Sequence, residues 1–124
     1  ISPPRETVLL AKQAATLNNL SNGRLTLGLG IGWRADDFEV TGQGSLWARR
    51  GQYLEQQIEK LRQIWSSGQV GPNPKGHPEI LVGGAAASAL ERAGKFADAF
   101  IAGPFPVEQV REHFAAVDAA APAQ

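Results

Sequence analysis

The chain has no cysteine and no methionine, only two histidines, and no excess of either charge. Without cysteine there is no disulfide framework, no thiolate metal site and no cysteine nucleophile. Twelve Lys and Arg balance twelve Asp and Glu, and the pI is near 6.9. That balance removes the basic surface by which nucleic acid or an anionic membrane is usually recognised, so neither partner is expected. His77 stands beside Pro78 and His113 lies on what reads as a polar helix face. Neither has a metal-ligand spacing, and no metal is expected. No stretch approaches the roughly 18 consecutive apolar residues of a membrane span. No basic segment followed by an apolar one opens the chain, so no secretory signal is read and the cytoplasm is the expected compartment. The opening at Ile1 and the lack of any methionine predict a fragment or trimmed product.

What is present is one domain's worth of sequence: 124 residues, 43% of them hydrophobic, taken as a single unit over 1–124. After Pro3-Pro4 and Glu6, Leu10, Ala14 and Leu17 recur at helical spacing, and the helix stops at Ser21-Asn22-Gly23. Leu25, Leu27, Leu29 and Ile31 then alternate with Thr26, Gly28, Gly30 and Gly32, the period of a strand with one large apolar face and one nearly bare face. Residues 33–45 lose periodicity and read as a long loop. Leu54, Ile58, Leu61 and Trp65 mark a helix over about 46–66. The glycines and prolines of 67–78 form a connector.

Ile80-Leu81-Val82 reads as a short strand buried on both faces, turned by Gly83-Gly84 into an alanine-rich helix. Ala99-Phe100-Ile101 is a third strand, and Val107, Val110, Phe114 and Val117 mark a last helix. Strands alternating with helices imply right-handed crossovers and a parallel sheet, so the fold class is α/β. Three strands leave two open edges, which predicts association with another copy or with further barrel segments. An eight-unit barrel takes about 250 residues, so the chain holds roughly half of one.

Two segments carry the chemistry. At Thr26, Gly28, Gly30 and Gly32 bare backbone at a strand's carboxyl end would let a flat ring lie against main chain, although a tight turn also requires glycine. At Val82-Gly83-Gly84-Ala85-Ala86-Ala87-Ser88 a strand enters a helix N-terminus, where free N–H groups and the helix dipole suit a phosphate. An ordinary strand-to-helix turn has the same pattern. Gly30-Ile31-Gly32-Trp33-Arg34-Ala35 also fits the dinucleotide fingerprint, but no helix is read directly at the motif and Arg49-Arg50 stand where an acidic residue is needed. Asp36, Asp37 and Glu39 read as solvated or capping carboxylates, within reach of Arg49 and Arg50. Trp65 reads as core, whereas Trp33 is a candidate for lining a substrate pocket.

The ordered set from Leu10-Ala11-Lys12-Gln13-Ala14-Ala15-Thr16-Leu17 through Ser21-Asn22-Gly23-Arg24-Leu25-Thr26-Leu27-Gly28-Leu29-Gly30-Ile31-Gly32-Trp33 resembles the luciferase-like flavin- and deazaflavin-dependent oxidoreductases. The likeness continues through Asp37-Phe38, Gly42, Arg50-Gly51, Ile64-Trp65, Val82-Gly83-Gly84 and Ala97-Asp98. The resemblance implies part of a (β/α)8 (TIM) barrel that binds FMN or coenzyme F420 and carries out hydride transfer or oxygen-dependent oxidation of a small organic substrate. It implies ring contacts at Gly30, Ile31 and Gly32, a polar contact at Asp36, and phosphate contacts at Gly83, Gly84, Ala86 and Ala87. The alternative is a half-barrel scaffold without catalysis, whose glycines serve packing alone.

Overall fold

A computed structural model describes residues 1–123. Glu6 starts the first helix, α1 (Thr7–Leu20), by accepting the Val8 and Leu9 backbone N–H groups at its carboxylate. There follow β1 (Thr26–Leu29), a short helix α2 (Ala35–Val40), a 3-10 turn over Gly44–Arg49, and the long α3 (Arg50–Ser67). Then come β2 (Glu79–Gly83), α4 (Ala87–Phe96), β3 (Ala99–Ile101) and α5 (Val107–Ala120). The three strands form one parallel sheet in the order β1-β2-β3. The α/β class and the parallel sheet follow the sequence reading.

Period-two alternation decides how the sheet is covered. Leu29, Ile80 and Val82 are buried under the helices, and Phe100 meets Phe114 of α5 edge to face at 5.2 Å. On the opposite face stand Thr26, Gly28, Glu79, Leu81, Gly83, Ala99 and Ile101, with Thr26 donating to Glu79 across the strands at 2.9 Å. β2 is therefore covered on one face only among the described residues. The continuous Ile80-Leu81-Val82 run reads as two-sided because Leu81 is apolar, yet it faces the uncovered side and is half-exposed.

The core lies between sheet and helices. Leu54, Ile58 and Leu61 of α3 are fully buried, and Trp65 donates its indole N–H to the Ala11 carbonyl at 3.1 Å. α1 packs on α3 through Ala11, Ala14 and Ala15, whose small side chains permit close approach. Leu17 is exposed, so the buried stripe of α1 is rotated from the expected one toward Ala11, Ala15 and Asn18. α5 departs similarly: Val107 and Phe114 are exposed, whereas His113 is buried against Phe105 with its Nδ1 unpaired. A polar residue type hid a buried position.

Candidate functional site

Parallel pairing brings the two glycine-bearing termini together. Leu29 pairs with Val82, so Gly30 and Gly83 leave neighbouring strands, about 4.8 Å apart, at the same end of the sheet. At Gly28 and Gly30 a Cβ would meet no heavy atom within 4 Å. The bare backbone expected there stands open on the side of the sheet that no described residue covers. At Gly83 a Cβ would stand 3.0 Å from Ile101 Cγ2, and at Gly84, whose φ is 144°, it would lie 2.6 Å from the Ala89 Cβ. Gly83 is thus required by its closeness to Ile101 of β3, and Gly84 by the turn into α4.

α4 begins at Ala87 after Ala86, and no side chain caps its first turn. Helix geometry leaves its first N–H groups without intrahelical acceptors, and Ala86, Ala87 and Ser88 are all exposed. The exposed alanines leave the main chain of this turn open to solvent.

At the other terminus, Ile31 and Gly32 are half-buried and Trp33 is 83% exposed. Ser2 donates its backbone N–H to the Gly30 carbonyl at 3.0 Å, and Ile1 lies against Gly32, where a Cβ would stand 2.9 Å from Ile1 Cγ2. Ser2 and Pro3 are buried, and the Ser2 hydroxyl bonds to Gln57. Gln57, itself buried, donates onward to the Arg5 carbonyl at 3.1 Å and to the Thr7 hydroxyl at 3.2 Å. This polar knot ties the start of the chain to α3, and nothing in the spacing of Gln57 distinguished it from the other glutamines of α3. A groove of about 500 Å³ runs between Ile1, Pro4, Arg5, Asp37, Val40 and Thr41. It lies beside the glycines rather than on them.

The expected loop over 33–45 contains α2, which buries Phe38 completely. The six residues of α2 are too few for helical periodicity to register. Asp36 and Asp37 occupy its first turn, where the helix dipole favours carboxylates. Asp36 does not await a ligand freely: Arg34 donates Nε at 3.0 Å and Nη2 to its two oxygens. The Arg34 hydrogen bond holds the Asp36 carboxyl below its ordinary value, and Asp36 raises Arg34 in turn.

Arg50 does not take these carboxylates. It donates Nε to the Gly32 carbonyl at 3.1 Å and Nη1 to the Trp47 carbonyl at 2.9 Å, and its guanidinium stacks on the Trp47 ring at 3.8 Å. Gly51, next to it, leaves room for Arg92, which donates to the Gly51 carbonyl and to Glu55.

α2 does begin at the motif Gly30-x-Gly32-x-x-Ala35, on its last residue, so that objection to the dinucleotide fingerprint falls. The other stands, since the residues about twenty positions on open α3 instead of ending a second strand. The family model for luciferase-like monooxygenases matches residues 1–124. The chain belongs to the luciferase-like monooxygenase family. Within it, the chain is similar to the pyrimidine monooxygenase RutA of Acinetobacter baylyi, at 28% identity over 115 residues covering 79% of this chain and 30% of the relative. It is also similar to an FMNH2-dependent dimethylsulfone monooxygenase of Pseudomonas fluorescens, at 30% identity over 123 residues covering 87% of this chain and 34% of the relative. RutA of Variovorax paradoxus is 25% identical over 115 residues. The chain thus spans about a third of the length of these curated relatives, 30% to 34%.

Proposed function

We propose that this chain carries the flavin-facing part of a luciferase-like monooxygenase: a seat for the FMN ring at Gly30, Ile31 and Gly32, and a cradle for its phosphate at Gly83, Gly84, Ala86 and Ala87. The observation that carries the reading is the open space at Gly28 and Gly30 beside an uncapped helix N-terminus, both at the carboxyl end of one parallel sheet. A flat ring needs bare backbone, and a phosphate needs unpaired N–H groups at a positive dipole end. Gly28 and Gly30 fit the first demand, while Gly32 is backed by Ile1 and Phe38, and the uncapped first turn of α4 fits the second. Reduced FMN, once bound, would supply the electrons and the oxygen chemistry that no side chain here provides.

The protein's own part is to bind and orient. Backbone N–H groups of the first turn of α4 would take the phosphate oxygens, and small side chains at Ala86 and Ala87 would let it approach. Trp33, exposed directly after the seat, would form one wall for a small organic substrate. Asp36 would serve a ring or chain contact only after exchanging its bonds with Arg34. The name of the dimethylsulfone relative favours FMN over F420. The three strand-helix units would belong to a (β/α)8 barrel, whose active sites form at this end of the sheet.

The half-barrel scaffold without catalysis is the competing reading, and one observation favours it: Gly83 and Gly84 are required by contacts with Ile101 and Ala89 whether or not a ligand binds. Packing does not extend to Gly28 and Gly30. Titration of the folded chain with FMN and, in parallel, F420 decides between them. Saturable quenching of FMN fluorescence is expected, and no response to either compound from a folded sample would establish the scaffold.

A further inference from the structure

Arg50 sits at the first residue of α3, half-buried, and spends its guanidinium on main chain: Nε on the Gly32 carbonyl at 3.1 Å and Nη1 on the Trp47 carbonyl at 2.9 Å. Its flat face lies 3.8 Å from the centre of the Trp47 ring, which meets Phe38 edge to face at 5.5 Å. Phe38 is fully buried beneath Gly32, whose Cβ, were there one, would lie 3.3 Å from Phe38 Cε2. Gly32, Phe38, Trp47 and Arg50 therefore close a loop of contacts around one peptide group. Because a trans peptide points its C=O and N–H in opposite directions, a carbonyl held by Arg50 turns the Trp33 N–H away from it.

We propose that Arg50 is the positioning residue of the ring seat: it fixes the 32–33 peptide so that the Trp33 N–H, and not the Gly32 carbonyl, is the group presented to the ligand. This rests on the ring-seat reading given above. A bidentate, stacked guanidinium suits the task as an ammonium would not, since lysine cannot bridge two carbonyls while lying flat on an indole.

The test compares wild type, R50A and R50K by titration with FMN and with riboflavin, which lacks the phosphate. The Gly32 carbonyl 13C resonance is also followed in the ligand-free proteins. Loss of a charge-assisted hydrogen bond that orders the seat is expected to weaken both flavins alike, by about tenfold in each variant. In both variants the Gly32 carbonyl resonance moves upfield while the far-UV circular dichroism is retained.

A loss confined to FMN would overturn the proposal by showing that Arg50 meets the phosphate directly. Full affinity in R50K would also overturn it, leaving charge alone as the role. So would an unmoved Gly32 resonance in R50K. Should R50A fail to fold, R50K together with W47L, which removes the stacking surface and is expected to weaken both flavins equally, carries the test. A wild-type chain that takes neither flavin defeats the ring-seat reading, and the hold of Arg50 on the peptide is then judged on the carbonyl resonance alone.

Discussion

Gly30 and Gly84 are bare for different reasons, and substitution separates them. A valine at Gly30 would enter open space, so G30V is expected to melt within a few degrees of wild type, no more than the shift that about 1 kcal/mol produces, yet to lose FMN binding. An alanine at Gly84 must adopt a φ of 144° and push on Ala89. G84A is expected to destabilise by about 1–3 kcal/mol, read as a lowered midpoint in urea. The Arg34–Asp36 pair carries a pH dependence. Asp36 is held low, so the pair is complete above the ordinary carboxylate pKa of about 4 and is lost as pH falls through the lowered value. The carboxyl 13C titration of Asp36 should show a higher midpoint in R34Q than in wild type. An equal midpoint would remove the pair. At this scale the bare strand face was legible because glycine alternates with leucine. The partner of Arg50 was not, because sequence spacing gives no distance between a helix start and a carbonyl eighteen residues earlier.

At the scale of elements, α4 lacks the cap that its position invites. A86D would supply one, raising stability by about 1 kcal/mol. The same carboxylate would occupy the N–H groups proposed for phosphate, so FMN binding should weaken while riboflavin binding stays as it was. Equal weakening of both would move the phosphate elsewhere. The long helix α3 was legible from Leu54, Ile58, Leu61 and Trp65, all buried as their period requires. L61A should cost about 2–5 kcal/mol, since its site is fully enclosed. α2 was not legible, being too short for its periodicity to register. α1 was legible as a helix, with Leu10 and Ala14 of its stripe buried as expected, but not in the rest of that face: Leu17 is exposed, and Ala11 and Ala15 pack closely on α3 instead.

For the molecule as a whole, apolar side chains stand in solvent both on the uncovered sheet face, at Ile101, and at the helix ends, at Val107 of α5 and Leu20 of α1, each more than half exposed. Such surfaces favour association with another copy or with further barrel segments. Sedimentation velocity is expected to show a weight-average mass that rises with concentration, and a constant monomer mass would contradict this. The α/β class and strand order were legible because strands and helices alternate, whereas the coverage of β2 depends on contacts that an apolar run does not specify. The central claim is that two neighbouring strand ends serve one ligand. Backbone amide NMR of the chain titrated with oxidised FMN tests it most directly: resonance shifts should gather at both 30–34 and 83–88 and saturate together. Shifts at only one of these segments, or centred on neither, would contradict it.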